Sequence, residues 1–212
     1  MLFRSLEDIH ASWPGTNDSA GTLPGATPSR VWRKVGATKP VSLRITATCN
    51  CKSVAVVAFG SPITASACYC DSCQEAARQI GALTNAPPVA GSDGGTEYVV
   101  YRKDRVLCTQ GKELLKAYKL DPDSPTSRVV ANCCNTAMFL AFDDNKHWVD
   151  LYRSRCRGDV PSLRMRVCTR FAPDAERLPR DVPQFQSYPP RFIAALIWAK
   201  FGMWLNPTRL EA

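Results

Sequence analysis

Residues 68–74 read Cys68-Tyr69-Cys70-Asp71-Ser72-Cys73-Gln74, three thiols within six positions. The chain carries ten cysteines and two histidines, His10 and His147. Three readings of the stretch are open: a metal clamp, a redox couple at Cys70-Asp71-Ser72-Cys73, or three unrelated buried thiols. Chance rarely places three cysteines this close. A CxxC redox pair belongs with alternating strands and helices, whereas the surroundings here are rich in strand signals.

Upstream, Val41, Leu43, Ile45 and Ala47 alternate with Ser42, Arg44, Thr46 and Thr48, the period-two pattern of a half-buried strand that runs into Cys49. Further strands are expected at Val54–Phe59, Glu97–Tyr101, Arg105–Cys108, Arg128–Asn132, Met138–Phe142, Trp148–Tyr152 and Met165–Phe171. The fold class is therefore mainly β. One short helix is expected directly after Cys70. Ser72 with Glu75 forms a capping-box pattern, and Gly81 can close the helix. Cys73 then lies in the first helical turn, where exposed N–H groups favour a thiolate.

The flanks differ in composition. Residues 1–40, with the run Trp13–Ser29 rich in Pro, Gly, Ser and Thr, read as a disordered leader. Residues 41–178 read as the folded domain. Residues 179–212 combine a Pro-rich linker with an apolar helix near Arg191–Leu205. That helix would span about 22 Å, short of a bilayer core, and Lys200 interrupts it. No transmembrane span is expected; the helix packs on the domain or pairs with a second copy as a homodimer, with contact to a membrane surface the further alternative.

Apolar residues at 45% and charged residues at 22% exclude a disordered or membrane-embedded chain. The net charge of +8 is scattered, and its densest run is Arg30–Lys34. A dedicated nucleic-acid arm is therefore not expected. No secretory signal opens the chain, which places it in the cytoplasm, with the nucleus also compatible. In that reducing setting, clustered cysteines point to metal or catalysis rather than to disulfides.

Seven of the ten cysteines fall into three groups: Cys49 and Cys51, then Cys68, Cys70 and Cys73, then Cys133 and Cys134. Zinc takes four tetrahedral ligands as thiolates. A Cys-x-Cys turn facing a cysteine pair from a distant hairpin makes a closed structural site. The middle group offers only three ligands in one segment, the arrangement of catalytic zinc with an open position. Cys108, Cys156 and Cys168 read as buried small hydrophobes. Neither His10 nor His147 has a ligand-like partner, so any zinc site here would be all-cysteine. Arg102, Lys103 and Arg105 are candidates for receiving the carboxylates of an anionic thiol.

The spacing Cys-x-Cys, Cys-x-Cys-x-x-Cys about 17 residues on, and a last cysteine pair some 60 residues later followed by a small residue and Thr resembles the glutathione-dependent formaldehyde-activating enzyme (GFA) family, which includes centromere protein V. The likeness covers residues 41–172. It implies an Mss4-like β-tent, in which small antiparallel sheets meet around zinc. It further implies a structural zinc on Cys49, Cys51 and Cys134, with Cys133 as the remaining candidate, and a second zinc on Cys68, Cys70 and Cys73. The implied activity is that of a carbon–sulfur lyase making and breaking S-hydroxymethylglutathione, with glutathione as the thiol partner. Those three cysteines would be the catalytic set.

Three departures stand out. Tyr69 replaces the family's usual His, and Gln74 its usual Arg. The last pair is adjacent, so that Ala131 falls where the family's Cys-x-x-Cys would put its first thiol. A zinc scaffold or basic-surface binding module without enzymatic activity is the competing reading.

Overall fold

The computed structural model describes Phe3–Arg4, residues 43–142 and residues 146–208. The leader expected at 1–40 lies outside these residues apart from Phe3–Arg4, as do Val41, Ser42, His10 and the basic run Arg30–Lys34. In chain order the strands are β1 (Phe3–Arg4), β2 (Arg44–Thr48), β3 (Ala55–Phe59), β4 (Thr64–Cys68), β5 (Thr96–Arg102) and β6 (Val106–Gln110). They continue as β7 (Leu115–Tyr118), β8 (Thr126–Ala131), β9 (Thr136–Phe142), β10 (Trp148–Tyr152), β11 (Cys156–Gly158) and β12 (Met165–Val167). Among the described residues there are two α-helices, α1 (Asp71–Gly81) and α2 (Pro190–Leu205), and several short turns of 3-10 helix.

The strands form two sheets, β1-β7-β8-β9-β10-β5-β4-β12 and β11-β2-β3-β6. Every neighbour pair is antiparallel except β12 on β4. The architecture is a β-tent-like one: mainly β, with two sheets whose hairpin tips carry cysteines. Alternation along the strands of the larger sheet explains the layering. Val99 and Tyr101 of β5, Val129 of β8 and Leu151 of β10 pack with Ile45 and Val56 of the smaller sheet. Tyr98, Val100, Val130 and Tyr152 point the other way, onto Ile80 of α1 and Phe192 and Leu196 of α2. A sheet buried on both faces needs apolar residues at successive positions, which is why Glu97–Tyr101 and Met138–Phe142 read as near-continuous runs.

Several expectations change in detail. β4 escaped the sequence reading because Thr64-Ala65-Ser66-Ala67-Cys68 is built of small residues without alternation; all five are buried. β7 and β11 were likewise not expected. Leu43, placed on the buried face, is 47% exposed, whereas Ile45 and Ala47 are fully buried. The strand expected over Met165–Phe171 ends at Val167. Cys168 adopts a left-handed backbone (φ 59°), and one short turn of 3-10 helix follows over Thr169–Phe171.

The capping box does not form. Cys70 is the N-cap of α1 and no side chain caps it. The Ser72 hydroxyl instead accepts from Arg128, and Glu75 is held by Arg78 and Gln79. Cys73 does lie in the first turn, its N–H on the Cys70 carbonyl at 2.9 Å. α2 buries Phe192 and Leu196 and leaves Trp198, Phe201 and Trp204 exposed. His147 ties it down, its Nε2 2.7 Å from the Leu196 carbonyl. Among the described residues no helix is long and apolar enough to cross a membrane.

Candidate metal centres

The β2–β3 hairpin of the small sheet carries Cys49 and Cys51 in its turn, and the β8–β9 hairpin of the large sheet carries Cys133 and Cys134. Both turns use left-handed residues, Lys52 and Asn135, which swing the chain back within a few positions. Lys52 N–H donates to the Cys49 carbonyl at 3.0 Å and Cys134 N–H to the Ala131 carbonyl at 3.3 Å. Thr136 joins the hairpins: its hydroxyl accepts from Asn50 N–H at 3.1 Å and lies 3.1 Å from Cys134 Sγ.

The four sulfurs lie within 4.8 Å of one another. Cys49 to Cys51 is 3.5 Å, Cys51 to Cys133 3.3 Å, Cys49 to Cys133 3.9 Å and Cys133 to Cys134 3.9 Å. A tetrahedron with Zn–S near 2.3 Å has edges of about 3.8 Å, so four thiols stand almost at ligand spacing. Cys133 stands in this cluster, whereas Ala131 ends β8. The thiols do not ionise alike. Hydrogen bonding with Ser53 brings Cys51 down to about 6, whereas burial pushes Cys49 and Cys133 upward.

The middle motif runs from the end of β4 into the first turn of α1. Cys68, Cys70 and Cys73 bring their sulfurs within 4.8 Å of one another. They line a cleft of about 140 Å³ together with Tyr98, Arg128, Asp150, Tyr188 and Phe192. Tyr188 Oη is 3.5 Å from Cys68 Sγ, and Tyr98 Oη is 3.6 Å from Cys73 Sγ. Cys168 is an addition that the sequence reading had set aside as core: buried, in the same apolar cluster, and hydrogen-bonded to Cys68.

The three motif thiols share charge unequally. Contact with Cys168 pushes Cys68 up, but hydrogen bonds from Cys70 and Cys73 outweigh it and leave Cys68 below the ordinary thiol value. Cys70 is raised chiefly by its hydrogen bond to Cys68, and Cys73 more strongly by Cys68, Cys70 and burial. Of the three, Cys68 gives up its proton most readily and Cys73 least. A divalent cation fits this set because it would replace those protons as the charge that holds three sulfurs together. Arg128 supports the same fit: a guanidinium only 1% exposed, with a partnerless Nε, sits beside sulfurs that would carry net negative charge as a metal complex.

Other candidates lie elsewhere. Arg102 pairs with Asp104 and donates to the Asn206 carbonyl at 2.8 Å, and Arg105 donates to the Ser61 carbonyl. None of Arg102, Lys103 or Arg105 lines the thiol cleft. Tyr69 and Gln74 also point away from it. The Tyr69 hydroxyl donates to Asp93 at 2.7 Å and accepts from Arg166, and Gln74 Nε2 donates to the Gly94 carbonyl at 3.0 Å.

Among solved structures, a crystal structure of a Rhodobacter sphaeroides protein aligns with 66% of this chain and 98% of its own, at 14% identity and a TM-score of 0.38. No curated protein sequence matches the chain. The family model described as glutathione-dependent formaldehyde-activating enzyme matches residues 44–152, just over half of the 212 residues, and spans β2 to β10 with all seven clustered cysteines. The chain belongs to the glutathione-dependent formaldehyde-activating enzyme family.

Proposed function

We propose that this protein is a zinc-dependent carbon–sulfur lyase acting on thiol–aldehyde adducts of the S-hydroxymethylglutathione type. The observation that supports it is the contrast between the two thiol clusters: four sulfurs closing the hairpin tips, and three lining a cleft. On this reading Cys49, Cys51, Cys133 and Cys134 hold a structural zinc, and Cys68, Cys70 and Cys73 hold a second. A zinc ion on three thiolates with one position open would keep a substrate thiol deprotonated and nucleophilic. The chain's own residues shape the rest. Phe192 and Val167 exclude water, Tyr98 and Tyr188 fix the outer sulfurs, and Arg128 balances their charge. Residues 41–178 form the catalytic domain, glutathione is the thiol, and the setting is cytoplasmic.

The test is metal per chain by plasma mass spectrometry, with the parent set against a Cys68/Cys70/Cys73→Ser triple variant. Two zinc ions falling to one, with folding kept, is the expected result. Parent protein should also form S-hydroxymethylglutathione from glutathione and formaldehyde, followed by NMR, and the variant should not. One zinc in both proteins would refute the second site. The competing binding-module reading drew on Tyr69 and Gln74, both of which serve the scaffold and leave the thiols untouched. Salt-dependent affinity for DNA or RNA in a protein without turnover would revive it.

A further inference from the structure

Arg128 heads the large side chains that the fold buries completely, and the zinc reading uses only its charge. It rises from β8 into the thiol cleft. Its Nη1 donates to Thr126 Oγ1 at 3.0 Å, and its Nη2 to the carbonyl and hydroxyl of Ser72. Its Nε–H is buried and has no partner. No carboxylate pairs with the guanidinium among the described residues; Asp150 lines the same cleft, yet its Oδ1 is also partnerless.

Both circumstances cost stability. A buried cation without a counter-charge is unfavourable, and Ser72 lies in the first turn of α1, the end of a helix that repels positive charge. Three thiolates around a divalent cation sum to one negative charge, which offsets the first cost. They leave the Nε–H unspent. Tyr98 Oη lies against Cys73 Sγ and Tyr188 Oη against Cys68 Sγ. The cleft is small, about 140 Å³, and suits a small carbonyl compound beside the sulfur end of a thiol. The unspent donor belongs to a side chain that lines this cleft.

We propose that Arg128 is a catalytic residue of this site, its Nε–H holding the oxygen on which negative charge collects when a thiolate sulfur adds to the carbonyl carbon of a small aldehyde. The inference rests on the lyase reading above. A sulfur lone pair forms the C–S bond, the carbonyl π pair moves onto oxygen, and that oxygen takes up the proton that the thiol gave to water. Thiol plus aldehyde thus equals hydroxyalkyl thioether, with no oxidant or reductant. Thr126 and Ser72 hold the guanidinium before the reaction, so the donor needs no reorganisation as charge develops.

Formate, a planar anion of aldehyde size, and formamide, its neutral counterpart, are titrated into metal-loaded protein by calorimetry and thermal shift, with metal content measured alongside. Saturable formate binding is expected in the parent, at least tenfold weaker in Arg128→Gln, with no response to formamide. In kinetics with formaldehyde and glutathione, Arg128→Gln should lower kcat by about 10²–10³, with two metal ions per chain kept and the thiol KM within threefold. Equal formate binding in the two proteins, or kcat within threefold, overturns the proposal and leaves the lyase reading standing. Absent turnover in a parent whose formate binding depends on Arg128 overturns the lyase reading, and with it the catalytic role, while keeping the anion site. Should Arg128→Gln not fold, Arg128→Lys replaces it in every arm, since it keeps the charge but lacks the Nε–H. A parent that binds formate no better than formamide refutes the proposal without any variant.

Discussion

Tyr69 sits between two motif cysteines, yet its side chain leaves the cleft and closes a buried network on the far side. Its hydroxyl donates to Asp93 Oδ2 at 2.7 Å and accepts from Arg166 Nη1, which itself reaches Asp93 at 2.7 Å, while Arg166 Nη2 reaches Asp181 at 3.1 Å. Burial, then the Asp93 carboxylate, push the phenol upward, so it stays protonated and a donor. Tyr69→Phe removes two charge-assisted hydrogen bonds, the one to Asp93 and the one from Arg166, while Asp93 and Arg166 keep each other and the Gly95 N–H still reaches Asp93 Oδ1 at 3.0 Å. Because no buried group is left without a partner, the cost falls at the low end for such bonds, about 1.5–2 kcal/mol. For a chain of this size that lowers Tm by about 3–8 °C. Calorimetry on the parent, Tyr69→Phe, Asp93→Asn and the double variant should show the two substitutions coupled by more than 0.5 kcal/mol, a magnitude taken from contacting pairs at roughly that scale. Metal per chain should not change. An unchanged Tm, or metal lost from the middle site, would refute the reasoning that Tyr69 anchors the motif from behind without touching the sulfurs.

Asp150 gives a pH signature. Burial raises its carboxyl to about 7, above the unfolded value, so the native state binds the extra proton and stability falls as pH rises from about 4 to about 7. Asp150→Asn should remove that slope and gain about 2–4 kcal/mol on the parent at pH 8; urea midpoints at pH 5 and 8 decide it, and parallel profiles would sink the idea. Gly111 has φ 69°, and a β-carbon there would meet the Ser53 carbonyl oxygen at 2.2 Å. Gly111→Ala should therefore cost more than about 1 kcal/mol and loosen the first hairpin, read as faster zinc loss to a chelator; parent-like Tm and release would contradict it. Phe192→Ala should destabilise by about 3–5 kcal/mol and widen the thiol cleft, read by denaturant midpoint and by acceptance of bulkier aldehydes. A loss below 1 kcal/mol would mean that α2 contributes little to the fold.

Much of the site was legible because ligand chemistry leaves a local trace. Seven cysteines in three groups, a strand running into Cys49 and a helix beginning after Cys70 all follow from residue types and spacing, and the structure brings the groups together as two clusters. Cys133 beside Cys134 was ambiguous as a string; the fold brings both sulfurs within 4.8 Å of those of Cys49 and Cys51. Element boundaries were less legible. β4 carries no alternation, and the strand at Met165 is cut short by one residue's backbone.

What the chain could not disclose along its length was which polar side chains converge. Arg102 and Arg105 were candidates for the carboxylates of an anionic thiol, and each is spent on nearby structure, whereas Arg128 looked like one residue of a strand and lines the thiol cleft. Cys168 lies 100 positions from Cys68 in sequence and reaches it because β12 pairs in parallel with β4, Val167 opposite Cys68. Periodicity and spacing encode contacts within an element or across a turn, where geometry depends on a few neighbouring dihedrals. Contacts between distant strands depend on register and on the packing of a sheet covered on both faces, and these exist only once the whole chain has folded.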